Sequence, residues 1–156
     1  MSALDNVLVA LRRLLQSDRA RFGVKYPDFE ATHLATLDLV RPYSRTTPEA
    51  IYTVIEAVKY VARRRLRGAI VECGVWRGGS MMAAAKTLVD VSDTDRDLYL
   101  FDTFEGMTPP THRDVDLNEQ NAAASMARSD RHDATSIWAS VGLDDVKRSM
   151  ARVPYP

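Results

Sequence analysis

The sequence is short of three things, and each shortage narrows what the chain can do. Cysteine occurs once, as Cys73, so no disulfide closes within the chain and a reducing compartment is expected. Net charge is missing, because 21 Lys and Arg balance 21 Asp and Glu. That removes the electrostatic case for nucleic acid or an anionic membrane surface as a partner, and leaves a neutral or small ligand as the expectation. Long apolar runs are missing as well. No stretch approaches the ~20 residues that span a bilayer. The opening Met1-Ser2-Ala3-Leu4-Asp5 has no basic segment leading into an apolar one. A cytoplasmic, soluble protein of one domain at most is expected, with an apolar share of 46% that is ordinary for a globular fold.

Metal-ligand spacing is also lacking. His33, His112 and His132 are scattered and read as surface or loop residues. Asp114 and Asp116 read as part of an exposed polar loop, and Cys73 as a small buried core residue with no partner base beside it.

What is there is punctuated α/β patterning. Residues 2–16 carry Val7, Leu8, Leu11, Leu14 and Leu15 at helical spacing, with Ser2 as cap. Residues 17–45 are broken by Pro27 and Pro42, with one short element over 33–40. Thr47-Pro48-Glu49 then combines a cap, a proline at the first helical position and an acid in the first turn. The helix it opens places Ile51, Val54, Ile55, Val58 and Val61 on one face and ends at Arg63-Arg64-Arg65 and Gly68. Residues 69–73 read as a buried strand, a helix runs from Met81 to about Val89, and 98–101 form a second strand ending at Asp102. Strand, helix, strand at this spacing predicts a βαβ unit with a parallel sheet, an α/β fold. Residues 106–118 read as a long surface loop, and 118–128 and 143–152 as helices.

The turn between the first strand and its helix is the chemical feature. Gly74, Gly78 and Gly79 let backbone approach a ligand, and the helix start offers N–H donors. An acid at the next strand's end, Asp102, suits a ribose diol. The pattern predicts an adenosine-bearing ligand across the carboxyl ends of the strands. Ser80 stands where a phosphate-binding P-loop needs Lys, and Trp76 fills the middle glycine position of a dinucleotide fingerprint. Its bulky ring argues against an NAD-dependent reductase, the third reading. S-adenosylmethionine (SAM) carries no phosphate, and Glu72 suits its methionine ammonium. Taken alone, Trp76 is better explained by packing than by ligand contact.

The runs 72–80 (ECGVWRGGS) and 98–107 (LYLFDTFEGM) closely resemble the macrocin O-methyltransferase family, whose members methylate sugar hydroxyls of macrolides and have relatives across natural-product biosynthesis. The resemblance extends from about Thr46 to Tyr155, through Ala57-Val58-Lys59-Tyr60-Val61 and Leu143-Asp144-Asp145-Val146-Lys147. It implies that Glu72, Gly74, Trp76 and Ser80 line the SAM methionine end, that Asp102 holds the ribose hydroxyls with Thr103 beside the adenosine, and that Thr46 and Thr47 close the methionine side. It also implies a Rossmann-like sheet of seven strands, a small-molecule hydroxyl acceptor, and a magnesium ion bound by acids on later strands.

About seventy residues precede the first strand and fewer than ninety remain, too few for seven strands with their helices. The expectation is therefore a helical extension over 1–45 and, over 46–156, the amino-terminal half of a SAM-dependent methyltransferase domain, without the magnesium ligands or catalytic base. Such a half exposes a strand edge and one sheet face, so poor folding in isolation or reliance on a partner is expected. The competing reading is a non-catalytic relic or interaction module that pairs with a full-length paralogue, or with its own copy, through Leu8, Leu11 and Leu15.

Overall fold

Thr47 begins the best-defined helix as its sequence predicts. Its hydroxyl accepts the Ala50 N–H at 3.3 Å, Pro48 occupies the first turn, and the helix runs Pro48–Arg63 with Ile51, Ile55 and Val58 buried. The structure, a computed structural model, describes residues 25–156. The helix expected over 2–16, and with it Leu8, Leu11 and Leu15, lies outside the described residues.

In chain order the elements are α1 (Ala31–Val40), a 3-10 turn (Arg41–Tyr43), α2 (Pro48–Arg63), β1 (Ile70–Cys73), α3 (Gly79–Asp90), β2 (Leu98–Phe101), α4 (Ala122–Ala127) and α5 (Leu143–Met150). The strands pair in parallel, with Ile70 opposite Leu98 and Cys73 opposite Phe101, so the βαβ reading holds. The two carboxyl-terminal helices are shorter than expected, because Gly142 and the turn after Met150 bound one and Asn121 caps the other by accepting the Ala123 N–H at 2.8 Å.

Among the described residues, all the helical packing lies on one side of the sheet. Ile70, Leu98 and Leu100 meet Val58, Met81, Ala84 and Leu88, while Met82, Ala83 and Ala85 meet Leu37, Val40, Ile51, Ile55 and Val153. Small residues on three successive positions of α3 let α1 and α2 approach it closely. On the opposite face Val71, Tyr99 and Phe101 are 55%, 47% and 59% exposed, and Cys73 is exposed beside them. Cys73 is thus corrected from core to surface. Strand side chains alternate, and among the described residues only the face of Ile70 and Glu72 is covered by helices.

His33 is the second correction. It is buried, 2% exposed, at the third position of α1. The Glu30 N–H donates to its Nδ1 at 2.9 Å, which leaves the proton on Nε2 to donate to Glu56 Oε1 at 2.9 Å. Lys59 reaches the same Glu56 oxygen at 2.8 Å, and the Tyr52 ring lies 4.8 Å from the imidazole. The imidazole therefore ties the start of α1 to α2.

Candidate functional site

The turn 74–79 follows β1 directly, and its conformation explains its glycines unequally. Gly74 has φ +84 and nothing within 4 Å of where a Cβ would stand, so its backbone faces open space. Gly78 caps α3 at φ +86, and an added Cβ would sit 3.5–3.6 Å from Met150 and Val146 of α5. Gly79 has an ordinary φ, yet an added Cβ would lie 2.5 Å from the Tyr43 carbonyl oxygen and 2.6 Å from Ser44 Cβ. Gly74 leaves open space beside its backbone, whereas Gly78 and Gly79 let neighbouring chain pack against the turn.

Asp102 follows β2 and bonds back across the sheet. Its Oδ2 accepts the Val75 N–H at 2.6 Å and the Trp76 N–H at 3.3 Å. Its Oδ1 accepts the Phe104 N–H at 2.9 Å and the Thr103 hydroxyl at 3.4 Å. Burial alone would raise its pKa, but the N–H groups of Phe104, Val75, Trp76 and Thr103 outweigh burial and hold the carboxyl below the usual range.

Glu72 behaves in the opposite way. Burial pushes its pKa up and the Asp102 charge adds to this, against the Ser80 side chain and the Met81 N–H. Its Oε2 is buried and has no hydrogen-bond partner. A buried acceptor without a donor is unusual and calls for a reason.

These residues border two clefts, one at the carboxyl ends of the strands and one along the length of β1. One, of about 430 Å³, is lined by Gly74, Trp76, Asp102, Thr103, Gly106 and Met107 among others, a volume that suits a small-molecule ligand. The other, of about 360 Å³, runs along β1 past Glu72, Cys73 and Ser80 to Met81 and Val54. A larger cleft of about 780 Å³, between exposed Arg63, Arg65 and Arg67 and Asp93, Asp95 and Asp97, lies at the amino ends of the strands, away from where ligands bind open α/β sheets. The structure therefore brings Gly74, Trp76, Asp102 and Thr103 to one cleft and Glu72 and Ser80 to a separate one along β1. Thr47 lines neither, since its hydroxyl caps α2, and the Thr46 hydroxyl pairs with Ser44 Oγ at 2.8 Å.

The segment after β2 is the part sequence reasoning missed. Residues 107–141 fold over the first cleft and are tied down at several points. The Trp76 indole N–H donates to the Ala134 carbonyl at 2.9 Å, and its ring carries the Arg45 and Arg77 guanidinium groups at 5.6 and 5.0 Å. Arg45 also donates to the Ser136 and Thr135 carbonyls at 3.1 and 3.3 Å. The Met107 N–H reaches the Trp138 carbonyl at 2.8 Å, beside Gly106 with its φ of +84. Glycine at 106 and the two tryptophans were the available signals. Trp76→Phe keeps the ring but deletes the indole donor. It should cost about 1 kcal/mol and speed amide exchange across 134–139, read by hydrogen–deuterium exchange.

Among the described residues no three His, Cys, Asp or Glu side chains gather as a cation site, so the residues present do not fit the magnesium ion that the resemblance implies. No helix among them is long and apolar enough to cross a membrane.

A profile of the macrocin-O-methyltransferase (TylF) family matches residues 30–150. Among solved structures, the O-methyltransferase NovP superposes on the chain with a TM-score of 0.51 at 23% sequence identity, covering 72% of this chain and 43% of that one. The likeness establishes the fold, a part of a Rossmann-like methyltransferase sheet. The chain spans less than half the length of that relative. No curated protein sequence matches it.

Proposed function

Since the chain belongs to the macrocin-O-methyltransferase family, we propose that it binds SAM at the carboxyl ends of β1 and β2 and serves methyl transfer to the hydroxyl of a small natural-product acceptor. The observation that carries this reading is the buried, donorless Glu72 Oε2 at the end of the strand that leads into the open backbone of Gly74. The two fit the methionine end of such a ligand: a carboxylate that lacks a cation, and a turn without a Cβ in the way. When bound, SAM supplies an electrophilic methyl group. Glu72 would receive the methionine ammonium, with Ser80 steadying the carboxylate. The amino end of α3 would offer N–H groups to the methionine carboxylate. Trp76 and Thr103 would wall the adenosine side under the segment 107–141, and Gly78 and Gly79 would shape the turn. Thr47 would act at a distance, by capping the helix behind the site.

The deprotonating base, the acceptor pocket and any magnesium site are not assigned to residues of this chain. We place the methyltransferase domain at 46–156, with the preceding residues as an extension, and the protein in the cytoplasm. Calorimetric titration tests the reading: S-adenosylhomocysteine should bind saturably, and NADH at the same concentrations should give no heat. Binding of NADH without the homocysteine ligand would overturn it.

A further inference from the structure

We infer that Arg45 is a positioning residue, whose guanidinium pins the turn 133–136 and, through it, the Ala139 wall of the cofactor cleft. The inference rests on the cofactor reading above and adds a residue to it. The neighbouring Thr46 and Thr47 hydroxyls are committed locally, to Ser44 Oγ and to the Ala50 N–H. Arg45 instead reaches 90 and 91 positions along the chain. It donates to the Thr135 carbonyl at 3.3 Å and to the Ser136 carbonyl at 3.1 Å. The same guanidinium lies 5.6 Å from the Trp76 ring, which lines the cleft.

The turn that Arg45 holds is fixed internally. The Ser136 N–H donates to the Asp133 carbonyl at 2.9 Å, and the Thr135 N–H and hydroxyl donate to Asp133 Oδ1 at 2.8 and 2.7 Å. Its three successive carbonyls are where the rest of the site grips it: the Trp76 indole takes Ala134, and Arg45 takes Thr135 and Ser136. The Ser136 carbonyl is the link to the cleft. A carbonyl oxygen has two lone pairs, and this one accepts both from Arg45 and from the Ala139 N–H, the latter at 3.1 Å. Ala139 lines the cleft and sits at φ +48, a left-handed backbone that persists only where its surroundings impose it. Arginine suits the task because its planar fork spans two carbonyls while its face lies on a ring; a lysine ammonium is a single point charge.

Kinetics and amide exchange together test the role. Association and dissociation of S-adenosylhomocysteine are followed by surface plasmon resonance on wild type, Arg45→Ala and Arg45→Lys, and amide exchange is followed without ligand. Arg45→Ala should release the ligand about tenfold faster, with association changed by less than about threefold, because the loss falls on the closed complex. Arg45→Lys should stay within about threefold of Arg45→Ala, since charge alone does not rebuild the fork. Exchange at Ala139 should quicken in both variants, while Ala83, Ala84 and Ala85 in the core of α3 exchange as in wild type. Unchanged dissociation, full rescue by lysine or unchanged exchange at Ala139 would overturn the inference. Faster exchange at the α3 amides as well would also overturn it, by showing a general loss of stability. If wild type binds no S-adenosylhomocysteine, the cofactor reading fails, and exchange at Ala139 still decides whether Arg45 holds the turn. Should Arg45→Ala not fold, Arg45→Gln, which keeps one short donor, replaces it in the same measurements.

Discussion

Replacing Glu72 by Gln should raise the melting temperature at neutral pH and, in the same protein, weaken S-adenosylhomocysteine binding by about tenfold to a hundredfold. The stability half follows from linkage. Burial, with the Asp102 charge behind it, raises the folded-state pKa of Glu72 above the ordinary range. A raised folded pKa means that the native state holds the proton more tightly than the unfolded chain does. The stability tied to this carboxyl is therefore fully present below the ordinary glutamate value, about 4.3, and is lost as pH rises through the raised native value. Gln does not ionise, so the variant escapes that loss. The difference in melting temperature should be near zero at pH 4 and grow toward pH 8, read from thermal melts at fixed ionic strength.

The affinity half follows from the donorless Oε2. Hydrogen bonds to charged groups contribute about 1.5–3 kcal/mol, which corresponds to the stated range in Kd. A variant that is less stable across the whole pH range would show that Ser80 and Met81 already satisfy the anion, and that the carboxylate has no need of a ligand cation. The two halves together describe a group kept for binding at a cost in stability, which is how functional sites differ from cores.

Local signals made much of this legible in the sequence. The cap at Thr47, the two strands and the turn between them follow from residues within a few positions of one another, and those elements stand where expected. The misreadings share a physical cause: each depends on a partner far along the chain. His33 is buried because Glu56 on another helix accepts its Nε2 proton, which no single-helix pattern reveals. Cys73 is exposed because one face of β1 has helices and the other has none among the described residues. Trp76 reaches Ala134, 58 positions away, and Arg45 reaches Ser136, 91 positions away, so the cover over the cleft had no local signature. The acid at the end of β2 was correctly located, but its occupancy by backbone donors is visible only in three dimensions.

Gly79 shows the same division and carries the largest expected loss of stability. Read along the chain, Gly79 is one more member of a ligand-cradling turn at the start of a helix. On propensity alone Gly79→Ala would help, since Ala exceeds Gly by up to about 1 kcal/mol within a helix. Here the added Cβ would stand 2.5 Å from the Tyr43 carbonyl oxygen, 2.6 Å from Ser44 Cβ and 2.7 Å from the Tyr43 carbonyl carbon. The obstacle is mainly backbone, so no flexible side chain can swing aside. The 3-10 turn must move off α3, and with it Tyr43, whose ring packs against the core of Leu37, Val40, Ile51 and Met82. Overpacking of this kind costs typically about 1–3 kcal/mol, and the steric term outweighs the propensity gain. A net loss near 2 kcal/mol is expected in denaturant melts, with the midpoint shifted and the slope unchanged. Gly142→Ser is the control. That glycine caps α5 at an ordinary φ of −75, and nothing lies within 4 Å of its would-be Cβ. A serine there should be neutral or stabilising by a few tenths of a kcal/mol, about the difference between Gly and Ser as N-caps. Equal tolerance of both substitutions would mean that the Tyr43–Ser44 backbone does not press on α3, and would return Gly79 to the ligand-facing role its place in the motif suggests.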